Sequence, residues 1–220
     1  MQQRQRGTGS YRGASGNRCA NGEFGGLVRG MTMKSSSNVA LKEWAILCQA
    51  LQEGEQIAIL RKGGVHEDGG VFRVQEKEFL LYPTFEHQNQ ALLRSPWKES
   101  ISLSQPNPER IPISLYAEVD QVLQVIDESP LRRLSHLFAW NDNYLKIRFD
   151  FNPYDPLYLL ILRVYQLPNT VEIPMRKEYA GCKSWVTLAE PISLEGATPC
   201  MDDNSFNEME RVLLTDFVNL

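Results

Sequence analysis

Apolar residues recur at helical spacing in four parts of the chain, and each recurrence predicts a helix. In the run ALKEWAILCQALQEG the apolar positions lie three and four residues apart, with Asn38 as a predicted N-cap and Gly54 as the C-terminal stop. A second helix is predicted for FEHQNQALLR, with Thr84 as its cap. Two more helices are predicted in SPLRRLSHLFAW and in the amphipathic C-terminal run that opens at Ser205.

Between these helices, short segments alternate apolar and polar residues or are rich in β-branched and aromatic residues, which predicts strands. They are EQIAILRK, VFRVQEKEFLLY, ISLYAEVDQVLQVI, LYLLILRVYQL and KSWVTLAEPI. In the third segment the alternation changes phase near Gln121, as a bulge would cause. The combination predicts an α+β fold of mixed helices and antiparallel strands.

Changes in composition divide the chain into five predicted segments. These are a disordered Arg/Gly/Ser-rich head (1–38), an N-terminal α/β unit (39–96), a linker (97–112), a strand-rich unit (113–194) and an acidic C-terminal segment with an amphipathic helix (195–220). The head carries a net charge of +5 and the remainder −9. An Arg/Gly tract can bind nucleic acid through charge and stacking. Because Met31 and Met33 stand just before the first predicted helix, the head is also interpreted as an over-extended start.

Composition excludes several classes of protein. No run of 18 apolar residues is present, which predicts a soluble protein that does not span a membrane. The 4 cysteines include no CxxC pair, so neither a zinc knuckle nor a disulfide framework is predicted, and a reducing cytoplasm is the expected location.

The densest group of chemically active residues is RKGGVHEDGG, between two predicted strands. It lacks the spacing of a Walker loop or a dinucleotide-binding motif. Gly63 and Gly64 could present backbone amides to an anion beside Arg61 and Lys62, or they could simply turn the chain between the strands.

The same region offers an alternative metal site. His66 and Glu67 could join Glu86 and His87, because imidazole and carboxylate ligands suit zinc or manganese. The spaced carboxylates and lysine that are typical of nucleases are not present. Glu76, Lys77 and Glu78 are adjacent in sequence, so strand alternation would send Glu76 and Lys77 to opposite faces.

Several of these segments together resemble a known family. LKEW, LRKGG, FLLYPTFEHQ and GCKSWV resemble the domain-of-unknown-function family DUF1802, from Ala40 to about Pro191. This resemblance implies no activity that can be carried over residue by residue. The order of strands and short helices in the second half is weakly similar to PUA-like barrels of the EVE and ASCH branches. That similarity implies a small barrel there and a cleft that binds RNA or modified bases.

The leading hypothesis is a protein associated with nucleic acids or nucleotides, with single-stranded nucleic acid or a nucleotide as partner. Its predicted binding residues are Arg61, Lys62, Gly63, Gly64, Tyr82, His87, Lys183 and Trp185. Candidate catalytic residues are His87, Glu86 and Lys183, although enzymatic activity is left open and no cofactor is assigned. A metal-dependent hydrolase or nuclease and a non-catalytic interaction module are the alternatives.

Overall fold

The computed structural model describes residues 34–62, 76–101 and 109–218. The strands are β1 (Ser36–Trp44), β2 (Ala58–Lys62), β3 (Glu78–Thr84), β4 (Arg110–Val125), β5 (Leu157–Pro174), β6 (Trp185–Ser193) and β7 (Thr198–Pro199). The helices are α1 (Ala45–Gln52), α2 (Trp97–Ser100), α3 (Ser129–Arg133), α4 (Asp142–Asp150) and α5 (Asp203–Val218). Short 3₁₀ turns add to these at Gln90–Leu92, Ser135–Leu137 and Lys177–Tyr179.

The strands form one 7-stranded sheet in the order β2-β5-β4-β3-β1-β6, with β7 paired to β5. The pairing of β1 with β3 is parallel, and the other pairings are antiparallel. Mixed helices and mainly antiparallel strands confirm the predicted α+β class. The sheet takes strands from both sides of the predicted linker at 97–112, since β3 pairs directly with β4.

The sheet curls so that five strands share one apolar interior. Side chains from β1 to β5 meet there, including Leu41, Ile59, Phe79, Ala117 and Leu160. The curl also brings β2 and β1 together, although three strands separate them in the sheet. It thereby forms the hollow in which inward-facing polar residues are buried.

Two further apolar clusters cover the sheet from outside. One contains the helices, with Leu47 of α1, Trp140, Tyr144 of α4 and Leu213 of α5 among its buried members. The other lies on the outer face of β1, β3 and β4 and includes Ala40, Tyr82 and Tyr179. The second cluster places the 175–184 segment against β1 and β3.

Two helix predictions were wrong at specific residues. The first helix begins at Ala45, because residues 36–44 form β1 between β3 and β6 and are hydrogen-bonded to both. Helical spacing in ALKEW is equally compatible with a strand that is buried on both faces. FEHQNQALLR forms a turn followed by a single 3₁₀ turn, and His87 has a φ of 65°, which no α-helix contains.

Other predictions from periodicity were confirmed. The register of β4 against β5 shifts between Val119 and Gln121, where the change of phase predicted a bulge. The C-terminal helix forms as well, beginning two residues earlier than predicted because Asp202 accepts hydrogen bonds from the backbone N–H groups of Asn204 and Ser205. The helix α4 was not predicted. Asn141 caps it by accepting hydrogen bonds from the N–H groups of Asn143 and Tyr144.

Candidate functional site

Four polar residues meet on the outer face of β1 and β3, and we call this group the lysine site: Lys42, Tyr82, Glu86 and Lys183. The parallel register pairs Lys42 with Tyr82, which brings their side chains to one face. Glu86 follows the end of β3. The 175–184 segment brings Lys183 to this face, since Ser184 accepts a 2.8 Å hydrogen bond from the Lys42 N–H.

The Lys42 side chain is held in a defined position. Its Nζ donates a 3.0 Å hydrogen bond to the Gly181 carbonyl and lies 5.7 Å from the centroid of the Tyr82 ring. Gly181 has a φ of 85°, a conformation that favours glycine. The glycine therefore allows the tight turn that presents this carbonyl to Lys42.

Burial and neighbouring charges act on both Lys42 and Tyr82. Burial lowers the pKa of Lys42, the Glu86 carboxylate opposes this effect, and the Lys183 ammonium adds to it. Burial, Tyr179 and Glu86 raise the pKa of Tyr82 to about 12. Groups whose pKa is shifted by burial together with specific charged neighbours are typical of functional sites.

The 175–184 segment is anchored through Tyr179, which is buried. Its hydroxyl accepts a 2.9 Å hydrogen bond from the Ala189 N–H, and its ring packs edge-on against Tyr82 with 6.1 Å between centroids. Met175 approaches from the same segment, with its Sδ 3.2 Å from the Tyr82 hydroxyl. Between these anchors, Arg176, Lys177 and Glu178 are exposed.

Arg61 and Lys62 lie elsewhere, and this differs from the cleft predicted for them. Arg61 points into the curl of the sheet, where its Nη1 lies 3.3 Å from Glu43 Oε2 and donates a 3.0 Å hydrogen bond to the Lys42 carbonyl. Lys62 donates a 2.6 Å hydrogen bond to the Phe149 carbonyl. Both side chains are buried, because each is paired with a partner inside the fold.

The remaining predicted site residues are divided between the surface and the interior. His87 and Glu86 are exposed at the turn after β3. Trp185 is half-buried and packs edge-on against Phe79 at 5.1 Å, on the inner face of the sheet and away from the lysine site. Gly63, Gly64, His66 and Glu67 lie outside the described residues.

A separate cleft of about 640 Å³ opens between α1 and the ends of β3, β4 and β5. Its described lining combines carboxamides, a hydroxyl and an aromatic ring, supplied by Gln52, Gln166, Ser114 and Phe85. No cationic side chain is among these described lining residues. The described lining does include the Glu53 carboxylate, in contrast to the cations of the lysine site.

A family model described as "Domain of unknown function (DUF1802)" matches residues 40–212. The chain belongs to this family. The match extends beyond the predicted limit near Pro191 and includes most of α5, so the C-terminal helix lies largely within the DUF1802 region. A search of curated proteins returned no significant match.

Solved structures similar to this DUF1802 chain include three crystal structures of ASCH from Zymomonas mobilis. ASCH itself is 11% identical, with a TM-score of 0.40 over 80% of this chain and 93% of that chain. A tyrosine-to-phenylalanine mutant protein is 8% identical, with a TM-score of 0.42 over 79% and 96%. A serine-to-alanine mutant protein is 8% identical, with a TM-score of 0.39 over 82% and 99%. At these scores the similarity assigns neither a ligand nor a residue role.

Two kinds of feature are absent from the described residues, a cluster of metal ligands and a helix that could span a membrane. Within residues 34–62, 76–101 and 109–218 no three His, Cys, Asp or Glu side chains lie close enough together to hold a metal ion. In the same ranges no helix has the length and apolar character to cross a membrane.

Sequence reasoning missed Lys42, the residue around which the other members of the lysine site lie. The signal was present in LKEW, where Lys42 follows the buried Leu41 and strand alternation sends it to the opposite face. Assignment of the run to a helix concealed this alternation.

Proposed function

We propose that the lysine site binds the phosphates of a single-stranded nucleic acid or a nucleotide. The observation that carries this proposal is the meeting of Lys42 and Lys183 on one surface. Arg176, Lys177 and Glu178 are exposed on the same segment and together add one positive charge, while the whole chain has a net charge of −4. A local positive surface on an acidic protein suits a short stretch of phosphates better than a long duplex.

Phosphate recognition is supported better than base stacking. Tyr82 and Tyr179 show only 2% and 3% of their surface, so neither ring offers a face to a base. The ammonium groups of Lys42 and Lys183 instead supply point charges that bind phosphate oxygens without a fixed geometry. The proposed binding is therefore electrostatic and weakly selective for sequence.

The test is fluorescence anisotropy of a short labelled single-stranded RNA titrated with protein at increasing salt. We expect Lys183→Gln to weaken binding about threefold to tenfold at low salt. If one phosphate contact is lost, the slope of log affinity against log salt should fall by about 0.7.

Lys146→Gln is the matched control for this measurement. Lys146 is an exposed cation on α4, paired with Asp150, and lies outside the lysine site. Equal losses in the two variants, or no salt-dependent binding by the wild-type protein, would favour the non-catalytic interaction module over this proposal.

Glu86 provides a second test because its carboxylate competes with phosphate for Lys42. We expect Glu86→Gln to increase RNA affinity about twofold to fivefold, because it removes a negative charge close enough to Lys42 to raise the pKa of its amine. Glu99→Gln, an exposed carboxylate beside Lys98 on α2, is the control and should leave affinity unchanged. Weaker binding by Glu86→Gln would show that the carboxylate contacts the ligand directly.

A further inference from the structure

The Lys42 amine is both fixed and reachable. Its hydrogen bond to the Gly181 carbonyl is exposed, while the residue as a whole is half-buried between β3 and the 175–184 segment. A flexible surface lysine has no such fixed position. An amine that is held in place presents the same geometry to each electrophile that binds beside it.

Burial and neighbouring charges act on the pKa of this amine in both directions. Burial lowers the pKa of Lys42 and the Lys183 ammonium adds to this effect, whereas the Glu86 carboxylate opposes it. Glu86 keeps an exposed carboxylate beside it, which can accept and return a proton. Condensation with a carbonyl needs an amine and a group that transfers its protons, and Lys42 and Glu86 can supply these.

We propose that Lys42 forms an imine with the aldehyde of a sugar phosphate, either free or as an abasic site in a nucleic acid strand. This proposal rests on the phosphate-binding function proposed above. The Nζ lone pair attacks the aldehyde carbon of the open-chain sugar, and the first of the two nitrogen protons passes to the carbonyl oxygen, which becomes a hydroxyl. Glu86 takes a proton from the nitrogen and returns it to that hydroxyl, which leaves as water. No oxidant or reductant is consumed in this step.

The positive charges around Lys42 favour an aldehyde that carries phosphate. Lys183 lies beside the amine, and Arg176 and Lys177 are exposed on the same segment. A phosphate bound to Lys183 would keep the attached sugar near Lys42, so that the reaction becomes effectively intramolecular. The cleft beside α1 offers no cation among its described lining residues, and Lys42 is not one of its lining residues.

The experiment is trapping with sodium cyanoborohydride, which reduces an imine to a stable amine. The full chain is incubated with a single-stranded oligonucleotide containing one abasic site, and in a second arm with 2-deoxyribose 5-phosphate. Adducts are located by peptide mass spectrometry. The expected result is a predominant adduct on Lys42, with at least a tenfold lower yield in Lys42→Arg. Lys183→Gln should slow trapping severalfold without moving the adduct, whereas Lys146→Gln should match the wild type.

Circular dichroism melting of each variant confirms that it folds, so that loss of trapping reports on the amine. Adducts spread over many lysines, or an undiminished yield in Lys42→Arg, would overturn the proposal. If intact RNA binds by anisotropy but neither aldehyde is trapped at Lys42, the imine proposal fails and the phosphate-binding function stands. Trapping of the free sugar phosphate at Lys42 without binding of any oligonucleotide would support the imine chemistry and refute nucleic-acid binding.

Discussion

Replacing Arg61 with methionine is expected to lower the free energy of unfolding by about 3 kcal/mol. The Glu43 side chain is 1% exposed, and Arg61 Nη1 lies 3.3 Å from its Oε2. Two hydrogen bonds are described for this carboxylate. Without the guanidinium one of them remains, the 2.8 Å hydrogen bond that its Oε1 accepts from the Trp44 N–H. The loss should fall at the low end of the range for buried pairs, because Arg148 remains as a second cation near the Glu43 carboxylate. Tyr144 and Glu43 both lie close enough to Arg148 to raise the pKa of its guanidinium. Urea unfolding followed by circular dichroism measures the change.

Two further variants test the cause of this loss. Combining Arg61→Met with Glu43→Gln removes both charges and should recover at least half of the lost stability. Lys146→Met removes an exposed partner of Asp150, where the atoms are 2.7 Å apart, and should leave the free energy of unfolding unchanged within the error of the measurement. A cost below about 1 kcal/mol for Arg61→Met would mean that the buried pair does not form in solution.

The buried role of Arg61 shows why RKGG misled the sequence analysis. The predicted strand EQIAILRK did include Arg61 and Lys62, but the two glycines that follow suggested that both side chains stood at an exposed polar turn. Strand alternation from Ile59 places Arg61 inside the curl, but only the fold reveals that Glu43 of β1 faces it. A pairing between residues on strands that are distant in the sheet leaves no local pattern.

The lysine site was predicted only in part for the same reason. Tyr82, Glu86 and Lys183 were proposed from their chemistry, and the structure brings them around one amine. Their meeting depends on the parallel pairing of β1 with β3 and on the turn at Gly181, which no periodicity in the sequence encodes. In contrast, the bulge in β4 and the apolar stripe of α5 arise from local alternation and were predictable.

Leu213→Ala is expected to destabilise the protein by about 3 kcal/mol, since it deletes a fully buried side chain from the cluster that the helices share. The C-terminal helix α5 is acidic on its outer face, and sequence alone could assign it either to this protein's core or to a partner. Its packing is supported at both ends, because Arg163 pairs with Asp203 and the Arg133 Nε lies 3.6 Å from Asp216 Oδ1.

Arg211→Ala provides the matched control within α5. Arg211 is exposed and bonded to Glu208 of the same helix, so its loss removes a surface pair and changes helix propensity little. We expect no measurable change in the free energy of unfolding, determined by the same urea unfolding. If the two variants cost equally little, α5 does not pack on the sheet in solution. A loss confined to Leu213→Ala would show that α5 is part of the cooperatively folded structure that carries the lysine site. The reason is that α5 and α1 share one apolar cluster, and α1 directly follows β1, so unfolding of α5 would expose the cluster that supports β1.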